Sequence, residues 1–245
     1  PCRIYMIDSI GLQKTTLLDY PGKVAATVFT HGCPLRCPYC HNPELVGGPV
    51  PEYFIRKDDF TRFLDRRKNV LEGICITGGE PMVHQDLPEL ISLIRSRGLL
   101  VKLDTSGMFP DRLKKLLDAH LVDFVAMDIK TAFSHYDRVA GDGTKAARSV
   151  EILRKSSVDH EFRTTMAPGI VTEEDLTEIA GFLGPEDTWA LAQFRPTVTL
   201  DPSFARTIPY PDDLLFQWCR DLTQKKRRCI VRGVLKNQEN DRKKE

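Results

Sequence analysis

The 245-residue sequence contains no stretch of about 18 apolar residues, which excludes a membrane-spanning helix of ordinary length. Nor does one sign of charge dominate, with 35 Lys plus Arg against 34 Asp plus Glu. The basic residues are scattered until the closing runs Lys225-Lys226-Arg227-Arg228 and Arg242-Lys243-Lys244. Neither a nucleic-acid partner nor a membrane surface is expected. The first residues carry Arg3 and Asp8 and no uninterrupted apolar segment, so the chain is expected to be soluble and unexported. Paired cysteines are also lacking: there are seven, three of them within eight residues, while Cys2, Cys75, Cys219 and Cys229 lie far apart. That pattern argues against a disulfide framework. A tight thiol cluster suits soft-metal or redox chemistry in a reducing compartment, and the expected location is the cytoplasm.

With 41% hydrophobic residues, the chain can build one sizeable core. Strand-like apolar runs fall at Val24 to Thr30, Gly73 to Thr77, Leu99 to Asp104, Val122 to Asp128, Glu161 to Met166 and Thr188 to Phe194. Helical patterns lie between them. Asp86 reads as an N-cap, followed by Leu87, Leu90, Ile91 and Ile94 on one face and by Gly98 past the end. Thr172 and Asp175 form a capping-box pattern ahead of Leu176, Ile179, Ala180 and Leu183. Further helices are expected at Asp58 to Lys68, Asp111 to Ala119, Thr144 to Lys155 and Pro211 to Lys226. Strand and helix in alternation imply parallel strands with helices outside. Polar residues gather at strand C-terminal ends (Glu80, Asp104, Asp128) with Arg163 within the fifth run, as when loops at one rim of a barrel build a site. The fold expected is α/β, a partial (β/α)6 TIM-like barrel in a single domain. Residues 1–237 would form that core domain and 238–245 a polar, irregular tail; Gly47 to Lys57 is also read as irregular.

The segment from His31 to Pro43 spaces its cysteines C-x3-C-x2-C, with Cys33, Cys37 and Cys40 as three candidate metal ligands. A structural zinc site closes with four ligands, and His31 or His41 could supply the fourth. A four-iron cluster held by three cysteines instead leaves one iron open. The spacing admits both. Downstream, Thr77-Gly78-Gly79-Glu80-Pro81 follows a strand; its glycines permit close backbone approach and Glu80 can accept from an ammonium, although such a pair can also be a plain turn.

Taken together, Cys33-x3-Cys37-Pro38-Tyr39-Cys40 and Gly78-Gly79-Glu80 resemble the signatures of the radical S-adenosylmethionine superfamily. The flanks Ile10 to Gly22 and Cys40-His41-Asn42-Pro43-Glu44-Leu45-Val46 resemble activating enzymes of glycyl radical enzymes, particularly the anaerobic ribonucleoside-triphosphate reductase activating proteins. Asp104-Thr105-Ser106-Gly107 and Asp128-Ile129-Lys130 are similar to loops of pyruvate formate-lyase activating enzyme, with Ser106 in place of an asparagine. This resemblance implies a 4Fe-4S cluster on Cys33, Cys37 and Cys40 and S-adenosylmethionine as cofactor. Tyr39 would lie beside the adenine, Gly78, Gly79 and Glu80 at the methionine amino group, and Thr105 and Lys130 near the cofactor. Asp104 and Asp128 would be ligands of a monovalent cation, and Arg163 would donate to the cofactor's carboxylate or ribose. His41 is a candidate contact to the cluster shell, as is His31.

Plainer roles stand beside these. A strand-end aspartate often caps a turn, Lys130 could simply pair with one, and Arg163 could form an inward salt bridge. Cys75 and Cys219 read as small buried residues. The relative's adenine-side histidine has no counterpart after His160, and Gln193 or Arg195 is the expected replacement. The activity implied is reductive cleavage of S-adenosylmethionine, with an electron from a flavodoxin or ferredoxin-type donor, and removal of a glycine α-hydrogen from a glycyl radical enzyme. The alternatives are an enzyme of the same chemistry acting on a small molecule, or a non-catalytic zinc or iron-sulfur module.

Overall fold

The computed structural model describes residues 6–224 and 228–234; the tail at 238–245 lies outside them. Nine strands form one sheet in the order β3-β1-β2-β4-β5-β6-β7-β8-β9. All six expected strands are present: β2 (Ala25–Thr30), β4 (Gly73–Gly78), β5 (Leu100–Thr105), β6 (Phe124–Asp128), β7 (Asp159–Met166) and β8 (Thr188–Gln193). They pair in parallel with their sequence neighbours, and β9 (Arg228–Arg232) adds a seventh parallel strand beside β8. β1 (Ser9–Thr16) lies antiparallel to β2 at the other edge, where the two-residue β3 (Ile55–Arg56) pairs with its first residues. β3 falls within the segment expected to be irregular. The order is linear, with β3 and β9 as its ends, so the sheet is a partial TIM-like barrel rather than a closed one.

The central strands are apolar on both faces because helices cover one side and the barrel interior the other. In β2 and β4 all of Ala25, Ala26, Val28, Ile74, Cys75 and Ile76 are fully buried. The covering helices are α1 (Lys57–Arg67), α2 (Leu87–Arg95), α3 (Pro110–Asp118), α4 (Gly143–Arg154), α5 (Glu173–Phe182) and α6 (Asp212–Gln224). Each buries one stripe, such as Leu87, Leu90, Ile91 and Ile94 of α2. The capping box at Thr172 and Asp175 forms as the pattern required. Asp86 does not cap α2 with its side chain; its carboxylate accepts from the backbone N–H of Ile7, 3.1 Å away, and ties the N-terminal segment to the barrel. Among the described residues no helix is long and apolar enough to cross a membrane.

Parallel pairing in register brings the strand ends to one rim. Thr30 lies opposite Gly78, Thr105 opposite Met127, and Asp128 opposite Arg163. The cysteine loop that follows β2 therefore meets the ends of β4, β5 and β6.

Candidate active site

Cys33, Cys37 and Cys40 line one cavity of about 220 Å³, together with Tyr39, His41, Gly78, Gly79, Asp104, Thr105, Asp128 and Lys130. The loop that carries the thiols is pinned by backbone hydrogen bonds: Gly32 N–H donates to Leu45 O (2.8 Å), Cys33 N–H to Val46 O (3.1 Å), Arg36 N–H to Val139 O (2.9 Å) and Cys40 N–H to Cys37 O (3.0 Å). Burial, then the nearby Glu80 carboxyl, pushes the Cys33 thiol up to about 12, and burial raises Cys37. Binding of iron would take these sulfurs as thiolates and release their protons.

The donor set fits a cluster. Three soft sulfurs share this cavity, whereas Cys75 sits under the sheet beside Lys102 and Cys219 meets Cys229 between α6 and β9. Among the described residues no three His, Cys, Asp or Glu side chains converge closely enough to hold a single metal ion.

The two glycines serve the chain's own packing. A Cβ on Gly78, whose φ is +123°, would lie 2.3 Å from Thr30 N, and one on Gly79 would lie 2.3 Å from Gly32 O. Only glycine lets the end of β4 close against the cysteine loop, where Gly79 N–H donates to Thr30 O and Glu80 N–H to Gly32 O.

Glu80 departs from its expected place. It does not line the cavity and is fully buried. Its carboxylate accepts from Met82 N–H (3.1 Å), Ser106 N–H (2.7 Å), Thr105 Oγ1 (2.9 Å) and Ser106 Oγ (2.5 Å). Burial raises its pKa against the pull of those four donors. An acid that accepts from four donors clamps the β4 and β5 loops together. The serine that replaces the family's asparagine supplies two of those donors.

Arg163 is also placed differently. It lies behind the cavity wall, facing a second cavity of about 360 Å³ on the far side of Asp104 and Asp128. Its Nε donates to Asp128 Oδ1 (2.7 Å) and its Nη1 to Asp104 Oδ2 (3.2 Å), while Lys130 Nζ donates to Asp128 Oδ2 (2.9 Å) and the buried Lys102 pairs with Asp104. Here the plainer expectation holds: Arg163 forms an inward salt bridge. Burial would raise Asp128, but Arg163 and Lys130 outweigh it and hold the carboxyl well below the usual range. Lys130 is held well above its usual range, Asp128 outweighing burial. The two aspartates thus have protein counter-ions where a monovalent cation was expected. Lys130 lines the cavity wall while paired to Asp128.

His41 Nε2 lies 2.8 Å from Arg195 O, and its ring stacks on Phe194 with centroids 6.0 Å apart. Arg195 therefore acts through its backbone. Gln193 does not reach the cavity, because its amide donates to Tyr210 O and Asp212 Oδ1. His31 likewise stays out of the wall, its Nε2 buried without a hydrogen-bond partner. The wall includes Thr165, which sequence reasoning passed over; it lies two residues beyond Arg163 on the same strand, and period-2 alternation would have found it.

Residues 27–183 match the family model of the radical SAM superfamily. The chain is 32% identical to a Methanocaldococcus jannaschii protein named "Putative glycyl-radical enzyme activating enzyme MJ1227", over 83% of this chain and 86% of that one. It is 30% identical to the pyruvate formate-lyase-activating enzyme of Streptococcus mutans, over 84% and 88%. In fold it is similar to Streptococcus suis SuiB bound to S-adenosylmethionine, with a TM-score of 0.64 at 16% identity, covering 84% of this chain and 49% of SuiB. This chain is thus a member of the radical S-adenosylmethionine superfamily, grouping with the glycyl-radical enzyme activating enzymes, and it works with a 4Fe-4S cluster and S-adenosylmethionine.

Proposed function

We propose that the chain activates a glycyl radical enzyme, and that this protein substrate is an anaerobic ribonucleoside-triphosphate reductase. The observation that carries the reading is the convergence of Cys33, Cys37 and Cys40 with the β4, β5 and β6 loop ends on one cavity, in a chain alike over most of its length to a glycyl-radical activator. The choice of reductase rests on the flanks Ile10 to Gly22 and Cys40 to Val46.

In this reading Cys33, Cys37 and Cys40 hold the cluster through their thiolates. Lys130, held by Asp128, would offer its remaining donors to the cofactor's carboxylate, and Asp104 braces the rim through Lys102 and Arg163. Tyr39, buried and 3.5 Å from Lys130 O, packs beside the adenine, and His41 fixes the cysteine loop against the β8 loop. Gly78, Gly79 and Thr105 complete the pocket with small surfaces. Once loaded and given an electron by a flavodoxin or ferredoxin-type donor, the cluster and S-adenosylmethionine would supply the hydrogen-abstracting chemistry for the α-hydrogen of a glycine. The cavity's residues would fix the distance of that transfer.

Electron paramagnetic resonance tests this directly. Reduced protein, S-adenosylmethionine and the reductase, mixed without oxygen, should give the α-hydrogen doublet of a glycyl radical. Single Cys33, Cys37 or Cys40 to Ala changes should remove both cluster and doublet, while Cys75→Ala and Cys219→Ala should keep the cluster. Cofactor cleavage with turnover of a small metabolite and no doublet would overturn the reading.

A further inference from the structure

A further cavity, of about 760 Å³, lies beside the cysteine cavity. It is a groove between β1 and α1. One side is the outer edge of β1 from Gly11 to Lys14 and the other is a face of α1 with Phe63, Arg66 and Arg67. β3 pairs with β1 only at Ser9 and Ile10, so from Gly11 onward this edge has no strand partner among the described residues. Over these four residues, about 13 Å of strand, alternate residues turn their backbone N–H and C=O groups outward without a strand partner.

The groove is also cationic. Its four cations Lys14, Arg62, Arg66 and Arg67 outnumber its two acids: Asp59 pairs with Arg62 at 2.5 Å, Glu44 accepts from Tyr53 Oη at 3.4 Å, and Lys14, Arg66 and Arg67 form no ion pair among the described residues. Arg67 is tethered by a 3.2 Å hydrogen bond from Nη2 to Thr15 Oγ1, and its Nε is buried with no partner. Burying a guanidinium nitrogen without an acceptor is unfavourable, so the site calls for an acidic occupant. At its inner end the groove meets the active site: Asn42 lines both cavities.

We propose that this groove docks an extended acidic segment of the protein substrate, which adds as a strand to the open edge of β1 and is held by Lys14, Arg66 and Arg67. This rests on the reading that the substrate is a protein. Strand addition fixes the backbone of the incoming segment, and the cations select its side chains. Asn42 then marks where the neighbouring part of the substrate passes from groove to cavity. An extended peptide fits the open edge better than a nucleic acid does, because a strand edge pairs with peptide groups.

The test uses the cluster-loaded protein and a fluorescein-labelled hexapeptide alternating glutamate and valine, followed by fluorescence anisotropy without oxygen. Binding should weaken with salt and fall about tenfold in the Lys14→Glu/Arg66→Glu variant, whose two side chains are exposed. Thermal melting of that variant within about 2 °C of wild type would show that the fold survives. Hydrogen exchange across residues 9–16 should slow when the peptide is bound. Equal binding by wild type and variant, unchanged exchange at 9–16, or tighter binding of an oligothymidylate of equal charge would each overturn the inference. Peptide binding without a glycyl doublet in any reductase would sink the substrate reading and leave the groove's assignment standing.

Discussion

Replacing Glu80 separates a structural clamp from a cofactor ligand. Glu80→Ala removes the acceptor of two buried backbone donors, Met82 N–H and Ser106 N–H, and of the Thr105 and Ser106 hydroxyls. The hydroxyls can rotate toward other acceptors; the backbone groups cannot. Each buried donor left unpaired costs about 1–3 kcal/mol, so the substitution should destabilise by roughly 2–6 kcal/mol. For a chain of this size that is a fall in Tm of roughly 4–24 °C. Glu80→Gln keeps the shape but turns one oxygen into an NH2 that faces a donor, and should lose roughly 1–3 kcal/mol. Circular dichroism melts of cluster-free protein, made without oxygen, read the effect apart from cofactor binding. A Tm within about 2 °C of wild type, together with a large loss of S-adenosylmethionine affinity, would refute the clamp and return Glu80 to the cofactor.

Arg163→Met removes a charged donor from both Asp104 and Asp128 while Lys102 stays on the first and Lys130 on the second, so it should cost about 1.5–3 kcal/mol. In a double-mutant cycle with Asp128→Asn the coupling should reach about 1 kcal/mol or more, and strict additivity would refute the pairing. Asp175 gives the pH dependence. Burial would raise it, but His135 at 2.6 Å, Thr172 N–H at 2.8 Å and Arg138 at 2.8 Å outweigh that and depress its pKa. A depressed carboxylate stabilises above its unfolded pKa and loses that contribution as pH falls through the folded value. Asp175→Asn should therefore be about 1–2 kcal/mol less stable at pH 7, the gap closing progressively below pH ~4 in denaturant titrations. A pH-independent gap would contradict the assignment.

The parallel strands were legible because burial on two faces writes long apolar runs, as in Gly73 to Thr77. β1 was not, since Gln13, Lys14 and Thr15 are exposed and break the alternation. The cysteine loop was legible because cluster binding restricts both residue type and spacing. The aims of Glu80 and Arg163 were not. A carboxylate accepts equally from an ammonium or from backbone N–H groups, and three of the four donors that claim Glu80 come from Thr105 and Ser106, on another strand end 25 and 26 positions away. The same holds for Arg163, whose acids come from two other strands.

The three strands β5, β6 and β7 each contribute one member to the Asp104–Arg163–Asp128 bridge. In evolutionary terms these positions form one unit of inheritance. A relative that neutralises either aspartate takes a counter-ion from the guanidinium, and one that shortens the arginine takes a donor from both acids, so single changes are disfavoured at all three. Substitutions there should occur together or be absent across the family, and the rim's chemistry should drift only when the whole bridge is exchanged.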